Sequence, residues 1–321
     1  MEAGRRSTSA TLAGKTVVVT GASGFIGGNL CRRLAGSGVD VHAVSRGACE
    51  HLPVDVRRWS VDLGDGDRVR RLFREVKPEV VFHLAGHVQG SRALDQVAPA
   101  LAGNFAATVN VLVAVVDAAC ERLVMTGSQD EPDPGEACAT AFVPPSPYAA
   151  AKFAGSAYAR MFRSLYDCPV TIGRIFMGYG PGQRDLTKLL PYAILSLLRG
   201  EAPRLGTGAR PMDWIYVDDI LDGLLLLSTC EGVVGRTFDL GTGVAHTARE
   251  AVETVAKIMG SRVALRFGEV PDRRLEAVRV ANVEATAAQL RWRPSVEFSE
   301  GLRRTVAWYR ERAEAGTMPL S

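Results

Sequence analysis

Through the first 176 residues, short apolar runs rich in β-branched residues alternate with longer segments of helical period, and that alternation leaves few folds open. "KTVVVTGASGFIGGNLCRRLAGSG" reads as strand, glycine-rich turn and helix closing at a glycine. "VDVHAVSRG" and "VRRWSVDL" follow as second and third strands, then "DRVRRLFREVKP" as an amphipathic helix and "EVVFHLAG" as a buried fourth strand. "NFAATVNVLVAVVDAAC" is a long helix, "RLVMTGS" a fifth strand, "SPYAAAKFAGSAYARMFRSLY" another long helix and "PVTIGRIF" a sixth strand. Strands and helices in this order predict an α/β fold, a doubly wound parallel sheet of the Rossmann type covered on both faces.

Beyond residue 176 the rhythm changes. "YGPGQRDLTKLLPYAILSLLRG" is loop then helix, "MDWIYVDDILDGLLLL" a strand feeding a helix, and "TFDLGTG" a strand returning to the sheet. "TAREAVETVAKIMG", "ANVEATAAQL" and "SEGLRRTVAWYRERAEAG" are helices. The predicted organisation is a dinucleotide-binding domain over 1–176, with 213–243 returning to it. A smaller, mostly helical substrate-binding lobe takes 177–212 and 244–321. Ligands of such sheets bind beyond the carboxyl ends of the strands.

The turn "TGASGFIG" sits between the first strand and the first helix, where a dinucleotide pyrophosphate binds. Gly21 and Gly24 permit a tight turn and close approach, Gly27 lets helix and strand pack, and Ser23, Phe25 and Ile26 complete the phosphate-binding turn. The helix N-terminus adds N–H groups and positive potential. The end of the second strand selects the dinucleotide. An acidic residue there would favour NAD, but the chain has Ser45 and Arg46. A guanidinium holds a 2′-phosphate that a carboxylate would repel, so the expected cofactor is NADP(H), with NAD the alternative.

Composition excludes several classes. At 47% hydrophobic and 23% charged, with net charge +3 and no block of like charge, the chain shows no nucleic-acid or membrane-surface signature. No window approaches 18 apolar residues, so no membrane span is expected. Cys31, Cys49, Cys120, Cys138, Cys168 and Cys230 form no C-x-x-C pair, which argues against a metal site and for a reducing compartment. "MEAGRRSTSATL" has no apolar signal core, and the expected location is the cytoplasm.

In "SPYAAAK", Tyr148 and Lys152 lie four apart, about 5–6 Å between Cβ atoms on one helix face. A cation there favours the phenolate and lowers the tyrosine pKa. With "TGASGFIGGNL", "DL" at Asp62–Leu63, "VVFHLAG", "NFAATVNVL", "VMTGS", "YGPGQ", "DWIYVDDI" and "RWRP" in this order, the chain resembles the extended short-chain dehydrogenase/reductase family. The likeness covers nearly the whole length and is strongest to the nucleotide-sugar-modifying members. It implies a catalytic set of Ser128, Tyr148 and Lys152. Asp62 with Leu63 would contact the adenine, Leu84, Ala85 and Gly86 would wall the cofactor cleft, and Asn104 would sit below the active site. Lys152 would hold the nicotinamide ribose, Tyr148 would exchange the proton and Ser128 would orient the carbonyl. The alanines between Tyr148 and Lys152 keep that helix face open for the cofactor. The family also implies a homodimer paired through the helices starting near Asn104 and Tyr148.

Sugar dehydratases of the family carry Asp-Glu directly after the catalytic hydroxyl residue; here Gln129 and Asp130 stand there. Gln donates no proton at neutral pH, which disfavours dehydration, while Asp130 and Glu131 read equally well as solvated loop carboxylates. A net reductase must turn over its dinucleotide, so the Ser45–Arg46 signal favours a 4-ketoreductase acting on a nucleotide-linked 4-keto-6-deoxy sugar. The alternatives are a 4-epimerase or dehydratase with tightly held NAD, a ketoreductase on a non-nucleotide carbonyl, and a catalytically silent NADP-sensing protein. Three positions depart from the nucleotide-sugar pattern: Met177 for the usual asparagine, Met212 for an arginine and Asn282 for an aspartate. The candidate substrate contacts are Gln129, Met177, Arg184, Arg210, Arg273 and Arg274.

Overall fold

In the computed structural model, residues 11–47, 49–88, 91–132, 142–271 and 278–318 are described. The chain divides into two compact units. The first comprises Met1–Ile175, Leu221–Asp239 and Ala285–Trp292, and the second Phe176–Ile220, Leu240–Glu284 and Arg293–Ser321.

The apolar runs of the first unit become β1 (Thr16–Thr20), β2 (Asp40–Ser45), β3 (Arg57–Ser60), β4 (Val80–His83), β5 (Arg122–Ser128) and β6 (Val170–Ile175). With β9 (Thr237–Leu240) they form a seven-stranded sheet in the order β3-β2-β1-β4-β5-β6-β9. The pairs β1–β2, β1–β4, β2–β3, β4–β5 and β5–β6 are parallel. Because helices cover parallel strands on both faces, the central ones are buried almost throughout, as in Val17–Val19 and Val80–Phe82. At the edge, β3 stays mostly exposed and keeps its arginines.

Two helices of the first unit begin where the sequence supplies side-chain caps. After Gly24 in extended conformation comes α1 (Phe25–Leu34). The Asp65 carboxylate accepts N–H bonds from Asp67 and Arg68 to start α2 (Gly66–Val76). Ser146 caps the Ala149 N–H, and Pro147 opens α4 (Pro147–Tyr166), which ends on Asp167 in the left-handed region. Between them runs α3 (Leu94–Asp117), whose middle turn, Leu101–Ala106, is π-helical. Contrary to the sequence reading, α3 is by length and composition apolar enough to cross a membrane. Its apolarity has a packing cause: Val111, Leu112, Ala114 and Val115 are fully buried in the core shared with β4, β5, α2 and α4.

The second unit holds a three-stranded sheet ordered β10-β8-β7, made of β7 (Met177–Tyr179), β8 (Pro211–Tyr216) and β10 (Ala245–Thr247). Around it lie α5 (Leu189–Leu198), α7 (Ala248–Met259) and α9 (Phe298–Glu314); α6 (Val217–Thr229) follows β8 in the chain, and α8 (Val283–Leu290) precedes α9. Tyr179 packs edge-on against Trp214, Tyr216 and Phe298, and its hydroxyl donates to the Phe298 carbonyl at 3.1 Å.

The observed division departs from the expected one after residue 212. The returning segment is Leu221–Asp239 rather than 213–243, and Ala285–Trp292 joins it. Strand β8 pairs with β7 and β10 instead of joining the large sheet, because Asp213 ties it locally. The Asp213 carboxylate accepts the N–H and O–H of Thr242 (2.7 and 2.6 Å) and the N–H groups of Gly243 (2.8 Å) and Ala281 (2.9 Å). The lobe expected to be mostly helical therefore has a sheet of its own.

Candidate active site

The glycine turn after β1 is built for close approach. Gly21 has φ +70°, and a Cβ there would come within 2.8 Å of the Leu84 and Ala85 backbone. A Cβ on Gly27 would lie 2.3 Å from the Gly21 carbonyl. Helix α1 begins without a side-chain cap and with no acidic residue in its first turn, so its N-terminal positive potential is not neutralised. Ser23, Phe25 and Ile26 lie half-buried on this turn and helix start. These features fit a dinucleotide pyrophosphate.

Strand β4 ends beside this turn. The Thr20 hydroxyl oxygen accepts the N–H groups of Leu84 and Ala85, both at 3.2 Å. Asn104, buried in the π-helical turn of α3, accepts the His87 N–H at 2.9 Å and donates to the His87 carbonyl at 3.2 Å. A Cβ on Gly86 would meet Asn104 Oδ1 at 2.7 Å, and the same space borders the Lys152 stem. Leu84, Ala85, Gly86 and Asn104 thus lie close together in space. Asp62 lies exposed after β3, where its carboxylate accepts the Gly64 N–H at 2.9 Å, with Leu63 buried beside it.

Ser128 ends β5, and Tyr148 and Lys152 occupy the first two turns of α4. A hydrogen bond joins the Tyr148 and Ser128 hydroxyls. Ser128 Oγ also accepts the Asp130 N–H at 3.2 Å. The expected lowering of the Tyr148 pKa is not what the structure shows. Burial raises it, with the Asp130 charge adding, the Ser128 hydrogen bond opposing and Glu131 adding again. The physical reason is that the Lys152 ammonium is turned to Thr126, donating to its carbonyl at 2.8 Å and its hydroxyl at 3.3 Å. Burial brings Lys152 itself down to about 8, and the Glu131 charge opposes that fall. Ala149 and Ala151 are buried, so their small size also serves packing.

Two further groups escaped the sequence reading. His83, at the buried end of β4, meets Thr20 Oγ1 at 2.9 Å through Nδ1 and Thr108 Oγ1 at 3.0 Å through Nε2. The Thr108 proton is committed to the Asn104 carbonyl at 2.5 Å, so Nε2 carries the hydrogen and donates. Burial, then the Lys152 charge, lowers His83 to about 3, and it is neutral at physiological pH. Glu131 is not a solvated loop carboxylate: it is 5% exposed, and its Oε1 accepts the Ser128 N–H at 2.7 Å. A hydroxyl residue followed three positions later by an acid is a local signal for such a bond, but exposure could not be read from it.

At the end of β2, Arg46 is exposed. The Ser45 hydroxyl is buried and committed to the Gly47 carbonyl at 2.5 Å, with Cys49 Sγ at 3.1 Å. Arg46 is therefore the 2′-phosphate candidate on this turn, and Ser45 shapes the loop. Of the substrate candidates, Gln129 is half-buried directly after Ser128 in the first unit. In the second unit Met177 and Arg210 are half-buried, Met212 is buried on β8 and Arg184 is exposed. Arg273 and Arg274 lie outside the described residues.

A parallel sheet with a glycine turn at β1 and a Ser128–Tyr148–Lys152 cluster beside the ends of its strands defines a dinucleotide-dependent enzyme. The family model for the NAD dependent epimerase/dehydratase family matches residues 17–241, and the chain belongs to that nucleotide-sugar-modifying family. It is 31% identical over 318 residues to UDP-glucose 4-epimerase of Mycolicibacterium smegmatis, covering 92% of this chain and 99% of the relative. Among solved structures it resembles an epimerase of Methanothermobacter thermautotrophicus, with TM-score 0.87, 26% identity and 97% and 96% of the two chains covered. It also resembles the dTDP-glucose 4,6-dehydratase DesIV of Streptomyces venezuelae, solved with NAD, with TM-score 0.81, 28% identity and 93% and 98% covered.

Proposed function

We propose that the protein is an NADPH-dependent reductase of a keto group on a nucleotide-linked sugar, a 4-ketoreductase of 4-keto-6-deoxyhexoses. The observation that carries this reading is the end of β2, where Arg46 replaces the carboxylate that favours NAD. Tyr148 supports it. Its raised pKa keeps the phenol protonated across the physiological range, the form a reduction needs at its start. Gln129, in the place of a proton-donating acid, argues against dehydration.

The bound dinucleotide supplies the hydride. Tyr148 passes its proton to the carbonyl oxygen as that oxygen becomes a hydroxyl, and Ser128 donates a hydrogen bond to the same oxygen. Lys152 holds the ribose hydroxyls from its seat on Thr126. The glycine turn and the start of α1 take the pyrophosphate, and Arg46 takes the 2′-phosphate. Gln129, directly after Ser128, is the substrate contact that the first unit offers. The enzyme works in the cytoplasm, where its thiols stay reduced; the five cysteines in described positions are free. It acts as a homodimer joined through α3 and α4, which expose Val97 and Leu101 beside a groove of about 580 Å³ and Tyr158 and Leu165 further along α4.

The test is loss of NADPH absorbance with a panel of nucleotide-linked 4-keto sugars. The reading requires turnover that prefers NADPH to NADH. The names of the relatives favour the epimerase reading, which predicts NAD released from the purified protein and interconversion of sugars without net NADPH loss. Light scattering at the monomer mass would remove the dimer.

A further inference from the structure

The charged groups behind Ser128 are more than the catalytic set needs. Glu131 is buried at the start of the loop after β5, and its Oε1 takes the Ser128 N–H at 2.7 Å. The Ser156 hydroxyl, one turn beyond Lys152 on α4, is buried near this carboxylate without a hydrogen-bond partner of its own among the described residues. The strand leaves room for the carboxylate only by omitting a side chain, since a Cβ on Gly127 would lie 2.9 Å from the same Oε1. Two cations act on it, Lys152 from α4 and Arg174 from β6. Arg174 stands opposite Gly127 in the β5–β6 register, pairs with the buried Asp239 of β9 at 2.6 Å and donates to the Pro132 carbonyl at 3.4 Å. Lys152, Glu131, Arg174 and Asp239 therefore form a buried series of alternating charge running from the active site toward the edge of the sheet. A buried charge is tolerated only with partners: Arg174 and Asp239 form an ion pair, Glu131 has the Ser128 N–H, and Lys152 has the Thr126 oxygens.

We propose that Glu131 is the positioning residue of the active site: it holds the Ser128 backbone and, when ionised, biases the nearby Lys152 ammonium. This rests on the Ser128–Tyr148–Lys152 reading of the site. The consequence for Lys152 has a definite sign. Burial pulls the ammonium toward its neutral form, and the Glu131 charge opposes that pull. Thr126 gives the ammonium two oxygen acceptors but no charge. Glu131 also adds to the charge that keeps Tyr148 protonated, so one carboxylate biases both catalytic groups toward the forms that begin a reduction.

The test uses the full chain with its five lysines reductively methylated with ¹³C-formaldehyde, and follows the Lys152 resonance through a pH titration. Lys152→Arg assigns that resonance. Glu131→Gln keeps the shape and an acceptor for the Ser128 N–H while removing the charge. The Lys152 midpoint should fall by about one pH unit, a roughly tenfold change in the ammonium-to-amine ratio. Glu131→Asp, which retains the charge, should return the midpoint most of the way toward wild type; loss of a merely structural contact would give no such rescue. If Glu131→Gln does not fold, Glu131→Asp serves in its place: its shorter carboxylate should move the midpoint the same way by less. With a turned-over substrate, Glu131→Gln should lower kcat while KM stays within a few-fold. An unmoved Lys152 midpoint in the variants that fold overturns the proposal. Full turnover by Tyr148→Phe would instead overturn the catalytic reading and leave the lysine titration standing.

Discussion

Two of the carboxylates buried among the described residues are held on opposite terms. In the second unit Asp213 has no exposure, and its bonds come from neutral donors: three backbone N–H groups and the Thr242 hydroxyl. In the first unit Glu131 also accepts a backbone N–H, but the charges of Lys152 and Arg174 act on it and burial pushes its pKa up. Asp213 uses its charge to join three stretches of chain around β8. Glu131 uses its charge on other ionisable groups, two of which, Lys152 and Tyr148, are catalytic. Burial by itself does not separate a structural acid from a functional one; the charge of its partners does.

The comparison can be broken by variants that affect chemistry on one side and stability on the other. Tyr148→Phe is the largest expected effect, lowering turnover by about 10²–10⁴-fold through loss of the proton donor. Its melting temperature should stay near wild type, since the ring and its packing remain. His83 comes next, and its effect depends on pH. The folded chain refuses a proton that the unfolded chain accepts near pH 6.5, so the His83 contribution is fully present above about pH 6.5. It is lost as pH falls toward about 3. At about 1.4 kcal/mol per pH unit this amounts to about 5 kcal/mol in all. Urea midpoints of wild type and His83→Gln across pH 4–7 test it: the wild-type curve should fall more steeply.

Asp213→Ala should destabilise by about 3–5 kcal/mol, because four donors, one of them buried, lose their acceptor at once. The loss should be similar at pH 6 and pH 8, and activity per folded molecule should change far less than in Tyr148→Phe. A drop in kcat without loss of stability would put Asp213 on the functional side of the comparison. Smallest is Arg46→Ala, expected to reduce the preference for NADPH over NADH by about tenfold, or about 1.4 kcal/mol. Equal dissociation constants for the two dinucleotides in the wild type would remove Arg46 from the cofactor site.

Much of the first unit was legible because its signals are local. Glycines at 21, 24 and 27 answer a steric demand within one turn, and Ser146–Pro147 announces the start of the helix that carries Tyr148 and Lys152. The second unit was legible only in part. Strand β8 looks like any apolar strand, and what keeps it from the large sheet is Asp213 reaching Gly243 and Ala281, 30 and 68 positions away. The apolar helix α3 likewise shows its length and composition in sequence, while the neighbours that bury it come from across the sheet.

The sequence by itself determined the alternating elements, the phosphate turn, the arginine after β2 and the four-residue spacing of phenol and ammonium. These depend on backbone sterics and helical period, which act between near neighbours. Tertiary structure alone decided that the ammonium binds Thr126, that the phenol stays protonated, that His83 is held neutral and that Glu131 lies among buried charges. Ionisation depends on which groups are kept from water and which charges share that space, and residues distant along the chain supply both.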